Sequence, residues 1–357
     1  MPDARRALVY RPGSLGDTMV SLPAIAEIRR RHPDHSLTLL TERPTAGRVS
    51  PWTVLQGTGW FDDAHFYAVK AATARDRFHN LTLAMTLRRA GYDEVFSLAP
   101  RRTARQLRLD AAIFRGAVGA ARYHAAPEPT WPIPPGEAAE YEGLRLLRIV
   151  DPAASIESLL RFRLAVPAAE RELCEGLLSG LGIRRDQKLI AVAPGSGRAT
   201  TMWPLERFAA VGAALLRQFA DAVLLAIGGA RDIALCDELC CTWGLRAHNL
   251  AGRLSVFGSA SMLSRCAMLI GNDSGPTHLA AVVGVPCVAI YSARNPRGLW
   301  EPVGPDHVVI QERPECAGCR LDDCVSEARK CLTRIDARRV VREAIALIES
   351  RRPCLAH

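Results

Sequence analysis

The stretch Met268-Leu-Ile-Gly-Asn-Asp-Ser-Gly-Pro-Thr-His278, running on into Leu279-Ala-Ala-Val-Val283, decides the fold. It opens on a short apolar run, breaks at glycine and proline, and returns to apolar residues, which reads as strand, tight loop and helix. The same grammar repeats on either side: strands at 189–193, 222–227 and 287–290, with helices at 204–219 and 233–243 between them. Each strand is a continuous apolar run, as expected when both faces of a parallel sheet are covered by helices. Upstream, an apolar run at 7–10 leads through Arg11-Pro-Gly-Ser-Leu-Gly16 into an amphipathic stretch ending at Arg31, and strands at 37–40 and 95–98 flank a helical segment at 81–90. Alternation of this kind predicts an α/β protein with parallel sheets.

A chain of 357 residues is long for one core and suited to two. The expected plan is a first Rossmann-like domain over 1–166, a linker helix region at 167–187, a second doubly wound domain over 188–335, and a closing amphipathic helix and tail at 336–357. In that helix Val340, Val341, Ala344, Ile345, Leu347 and Ile348 gather mostly on one face. The proline-rich segment 125–137 reads as an extended loop.

The formal charge is +9, from 46 basic and 37 acidic residues, and lysine contributes only Lys70, Lys188 and Lys330. Between residues 70 and 122 eleven basic residues face four acidic ones. That surface favours an anionic partner, although a solvated arginine-rich helix face is the plain alternative. Nucleic acid is a poor match: aromatics are 6% of the chain and are not interleaved with the basic residues, leaving few stacking platforms. No run approaches the length of a membrane span and the first residues lack an apolar signal core, so the expectation is a cytoplasmic protein with at most peripheral contact at the inner membrane face.

Two loops are positioned for chemistry. Gly13-Ser-Leu-Gly-Asp17 places a carboxylate at the start of a helix beside the carboxyl end of a strand, making Asp17 the candidate general base; capping of the helix would account for the same residue. In the second domain, Asp273-Ser-Gly-Pro-Thr-His278 precedes a helix whose free N–H groups and dipole suit a phosphate, and Pro194-Gly-Ser-Gly197 ends another strand of the same sheet. Neither a GxGxxG dinucleotide fingerprint nor a GxxxxGK[ST] loop is present, so hydride transfer and P-loop phosphoryl transfer lose support. Finally, Cys316, Cys319, Cys324 and Cys331 follow a C-x2-C-x4-C-x6-C spacing. Such a spacing allows a structural zinc or iron, and reduced thiols and disulfides stay open beside it.

Together these segments resemble glycosyltransferase family 9, the bacterial heptosyltransferases. The resemblance rests on Gly13-Ser-Leu-Gly-Asp17 with Pro23, on Pro194-Gly-Ser-Gly197 with Trp203-Pro204, on Gly271-Asn-Asp-Ser-Gly-Pro-Thr-His278 with Gly284-Val-Pro286, and on the cysteine cluster, a feature of one subset of that family. It implies a GT-B architecture: two Rossmann-like domains facing a cleft, the first for an acceptor and the second for a nucleotide-sugar donor, with the C-terminal helix crossing back. It further implies Asp17 as general base of an inverting transfer, Ser274, Gly275, Thr277 and His278 at the donor diphosphate, Asp273 at the donor sugar, and Asp232 at the nucleotide ribose.

Where the family usually carries a phosphate-binding lysine, this chain has Thr201; Ser196 and Arg198 match other phosphate-side positions, and Arg198 is expected to supply the missing cation. The implied reaction moves a heptose from ADP-heptose to the anionic lipopolysaccharide inner core and requires no cofactor. Another nucleotide sugar, an aminocyclitol or a protein acceptor are the alternatives within the family, and a sugar-nucleotide epimerase is a more distant one.

Overall fold

A computed structural model describes residues 5–45, 49–133 and 139–351. The chain divides into two compact units, Met1–Phe162 and Arg163–His357. Part of the proline-rich loop (134–137) and most of the C-terminal tail (352–357) lie outside the described residues.

The first unit runs β1 (Arg6–Tyr10), α1 (Leu15–Arg31), β2 (Ser36–Glu42), α2 (Pro51–Leu55), β3 (Asp63–Tyr67), α3 (Ala74–Ala90), β4 (Glu94–Ser97), α4 (Ala104–Ala111), β5 (Arg122–His124), α5 (Glu142–Val150) and α6 (Ile156–Leu160). Its five strands are all parallel, in the order β3-β2-β1-β4-β5. Ala7, Leu8 and Val9 of the central strand are fully buried. Helix α1 covers them with Met19, Leu22, Ala24, Ile25 and Ile28, and its last turn, Arg29 to Arg31, complements the helix dipole.

The second unit runs α7 (Ala168–Gly180), β6 (Lys188–Ala193), α8 (Leu205–Gln218), β7 (Ala222–Ala226), α9 (Ile233–Trp243), β8 (Ala247–Asn249), α10 (Val256–Ser264), β9 (Met268–Asn272), α11 (Gly275–Val282), β10 (Cys287–Tyr291), β11 (His307–Gln311), α12 (Lys330–Thr333) and α13 (Ala337–Glu349). Six parallel strands lie in the order β11-β10-β9-β6-β7-β8. The helix expected near 167–187 is α7, which belongs to this unit and is tied to α10 by the Glu170 carboxylate accepting from Ser255. Trp203, Phe208, Val211 and Leu215 build the core under β6 and β9, and the amphipathic α13 seals it with Val340, Ala344 and Ile348.

In both sheets the strand order reverses beside the first strand of the unit: β1 neighbours β4, and β6 neighbours β9. Open parallel sheets bind ligands outside the carboxyl ends of strands at such a switch point. Both glycine-bearing loops singled out in the sequence sit there.

Candidate active site

In the first unit the loop after β1 turns at Gly13, whose φ of 130° is a conformation that side chains rarely adopt. A Cβ at that position would lie 2.6 Å from the Cβ of Asp17. Glycine therefore lets the Asp17 side chain fold back over the loop, where its Oδ2 accepts from the Ser14 amide (2.8 Å) and the Ser14 hydroxyl (2.6 Å). Capping thus occupies one carboxylate oxygen. The other lies 3.8 Å from the Arg11 guanidinium.

Arg11 is wholly buried. It donates to the Leu98 carbonyl (2.6 Å) and to the Asp17 carbonyl, pinning the first turn of α1 to the end of β4. Burial lowers the Arg11 pKa, while the charges of Asp17 and Glu142 oppose the shift. Glu142 is itself buried, receives two hydrogen bonds from Arg145 (2.9 and 2.5 Å), and lies 3.2 Å from Arg101. Neither Arg11 nor the Glu142–Arg145 pair emerges from sequence reading, since a charge directly after an apolar run reads as the start of a surface loop.

In the second unit the buried Asn272 stitches the switch point: its Nδ2 donates to the Pro194 carbonyl (2.6 Å) and its Oδ1 accepts from the Trp203 amide (3.0 Å). Around that stitch the expected residues converge. Ser196 Oγ lies 2.6 Å from Thr201 Oγ1 and donates to the Asp273 carbonyl (3.1 Å). Thr277 Oγ1 donates to the Asn272 carbonyl (2.7 Å), and His278 Nε2 lies 3.7 Å from Asp273 Oδ1. Ser274 caps α11, followed by Gly275, and its hydroxyl oxygen is buried without a hydrogen-bond partner.

Asp232 joins the group through space. A Cβ on Gly195 would meet its Oδ1 at 2.1 Å, so the Pro194–Gly195 turn closes directly on this carboxylate. Burial raises the Asp232 pKa, with the hydrogen bond from Gly229 and the charge of Arg231 pulling the other way.

Arg198 points elsewhere: its Nε donates to Asp322 (2.9 Å), which also accepts from Arg294 (2.9 Å). Arg294, three residues past β10, is the cation that sequence reading missed. Its side chain is only 11% exposed, and its pKa is lowered first by burial and then by Arg198, against the pull of Asp322 and Asp273.

The four-cysteine metal site is overturned. Among the described residues, the only group of three or more His, Cys, Asp or Glu whose ligand atoms all lie within 4.8 Å of one another is His32, His35 and Glu94 in the first unit. Cys316, Cys319, Cys324 and Cys331 are free thiols. No three of their sulfurs lie within 4.8 Å of one another, and their segment is tied to the residues that follow β10. Gly318 N–H donates to the Ala293 carbonyl (2.7 Å), Arg294 donates to the Leu321 and Arg320 carbonyls, and Arg320, Ala328 and Arg329 turn the chain with positive φ.

Two Rossmann-like α/β units, each with its loops gathered at a switch point, and a C-terminal helix define the GT-B class of fold. A sequence model of glycosyltransferase family 9 (heptosyltransferase) matches residues 157–329, a span that holds every second-unit crevice residue named above. Over that span the chain is similar to glycosyltransferase family 9.

The lipooligosaccharide heptosyltransferase 2 of Campylobacter jejuni is 24% identical over 47% of this chain and 53% of its own. The lipopolysaccharide heptosyltransferase 3 of Escherichia coli is 22% identical over 80% and 83%. The chain thus spans about half the length of several curated relatives. A solved glycosyl transferase family 9 structure from Veillonella parvula shares the fold, with a TM-score of 0.74 at 19% identity, covering 98% of this chain and 99% of that one.

Proposed function

We propose that this protein is an inverting glycosyltransferase that moves a heptose from ADP-heptose to a hydroxyl of the lipopolysaccharide inner core. The observation that carries the reading is the buried, unpartnered Ser274 hydroxyl at the start of α11, beside the Ser196–Thr201 pair and Arg294: a donor with nothing to bind, where a helix dipole favours an anion. The sugar and the acceptor are carried over from relatives named heptosyltransferases.

The second unit, through its residues 188–335, is then the donor side. Ser274, Gly275, Thr277 and His278 hold the diphosphate with Ser196 and Thr201, Asp273 meets the sugar and Asp232 the ribose. The first unit is the acceptor side. Asp17 takes the proton of the acceptor hydroxyl as that oxygen attacks the anomeric carbon. The bond from that carbon to the diphosphate breaks with inversion, and ADP leaves carrying the electron pair. The α11 start, Arg294 and Arg198 meet the charge that develops on it. Arg198 reaches the phosphate by releasing Asp322, which Arg294 keeps.

Arg75, Arg77, Arg88, Arg89, Arg105, Arg108 and Arg115 are exposed, and exposed Phe78, Leu81, Met85 and Leu109 stand among them. Such a mixture suits an acidic, lipid-borne acceptor met by peripheral contact at the cytoplasmic membrane face. Among the described residues no helix is long and apolar enough to cross a membrane.

Calorimetry with ADP-heptose, other ADP-sugars, UDP-sugars and GDP-sugars tests the donor. Asp17→Asn should bind ADP-heptose as the parent does and transfer about 10²–10⁴-fold more slowly. Failure to bind any nucleotide sugar overturns the reading, and undiminished transfer by Asp17→Asn overturns the base.

A further inference from the structure

At the opposite end of α1 from Asp17, the first unit carries a second constellation that the transfer chemistry does not use. Helix α1 rises about 1.5 Å per residue, so its C-cap, His32, stands roughly 22 Å from Asp17 along the axis. There the amino-terminal edge of the sheet brings together His32, His35 in the turn before β2, and Glu94 at the start of β4. The three side chains are 17%, 10% and 6% exposed.

We propose that His32, His35 and Glu94 form a structural site for a divalent transition metal such as zinc, with a fourth position open to water. His32 Nδ1 lies 3.7 Å and His35 Nε2 3.9 Å from Glu94 Oε1. A tetrahedral ion with bonds of about 2.0–2.2 Å spaces its donors roughly 3.3–3.5 Å apart, so each histidine meets the Glu94 oxygen by moving a few tenths of an ångström, and all three ligand atoms lie within 4.8 Å of one another. His35 supplies the independent sign: its Nε2 is buried with no hydrogen-bond partner, a cost that ligation removes. Two imidazoles and one carboxylate with an open position is a donor set that zinc favours.

The surroundings fit a positioned carboxylate. His124 Nε2 lies 2.8 Å from Glu94 Oε2 and its ring stacks on Phe96, a hydrogen bond of the kind that orients a metal-binding carboxylate. Arg122 Nη2 donates to Glu94 Oε1 at 2.6 Å and opposes the metal. The Arg122 side chain is 59% exposed, so it can leave for solvent when an ion takes its place. Of the other cations lining this cavity, Arg31 is already neutralised by Glu27 and Asp151, and Arg5 is exposed to solvent. The bound ion would clip the end of α1 to the edge of β4.

Cobalt(II) titration of the full chain, with exposed thiols such as Cys241 and Cys319 alkylated under native conditions, tests the site. The expected result is one equivalent bound with ligand-field bands and no thiolate charge-transfer band, and a metal-dependent rise in Tm. His35→Ala and Glu94→Gln should abolish binding, His124→Ala should weaken it about 10–100-fold, and Arg122→Gln should tighten it by about tenfold or more through loss of a competing charge. Absence of stoichiometric binding, a thiolate band, or binding retained by the His32→Ala/His35→Ala double variant overturns the proposal. If the histidine variants do not fold, Arg122→Gln still decides: unchanged or weakened affinity rejects the site.

Discussion

The two switch-point crevices are built from opposite materials. In the first unit, buried charges do the positioning: Arg11 pins the Asp17 turn, and Glu142 is held between Arg145 and Arg101. In the second, neutral hydroxyls, one asparagine and the start of a helix do it, and the nearest cations stand on loops beyond the strand ends. The difference follows from what each proposed partner brings. A diphosphate arrives with its own charge and needs donors free to receive it, whereas a general base must hold its charge in place before any substrate binds.

The largest effect that would break this contrast lies in the first unit. Arg145→Ala leaves Glu142 buried with Arg101 alone, and loss of one partner from a buried pair costs about 3–5 kcal/mol. Urea unfolding should show the first unit losing stability while nucleotide binding to the remaining folded protein persists. An unaltered midpoint would mean that Arg145 is dispensable to the charge lattice.

A smaller change should appear in the second unit with Gly195→Ala, because the new methyl must displace the Asp232 carboxylate. Overpacking of this kind costs about 1–3 kcal/mol and here should fall mainly on donor affinity, read by calorimetry. Equal affinity for ADP-sugars in parent and variant would separate Asp232 from the donor site.

Smallest is a pH effect confined to the second unit. Burial lowers the His307 pKa to about 4, below the ordinary histidine value of 6.5, with Asp306 opposing and Arg351 and Arg163 adding to the fall. The folded state therefore disfavours the proton. Stability linked to this residue is complete above pH 6.5 and is lost as pH falls from 6.5 toward 4. His307→Asn should flatten that part of the stability profile, and a profile identical to the parent's would remove His307 as its source.

Much of the fold was legible because parallel strands buried on both faces are continuous apolar runs: β6, β7, β9 and β10 all read directly. Strands β3, β5 and β8 did not, being short edge strands with residues such as Asp63, His65, Arg122 and His248. The residues expected in the second-unit crevice sit on two glycine-marked segments: Ser196 and Thr201 follow β6, and Asp273, Ser274, Thr277 and His278 run from the end of β9 into α11. Cys316, Cys319, Cys324 and Cys331 misled because a local pattern was read as a site. Their spacing permits convergence, but spacing says nothing of how closely the sulfurs approach, and here no three come within 4.8 Å while Arg294 holds the segment by its backbone.

Sequence alone determined the alternation of strands and helices, the two glycine turns and the residues those turns carry, because periodicity and backbone freedom are local properties of the chain. Tertiary structure alone decided that Arg11 is buried beneath Asp17, that Arg294 joins Arg198 at Asp322, and that His32, His35 and Glu94 meet. Glu94 is 59 residues from His35, and only the pairing of β1 between β2 and β4 brings those two strand starts to one edge. Strand order is a global choice made by packing, and no local pattern records it.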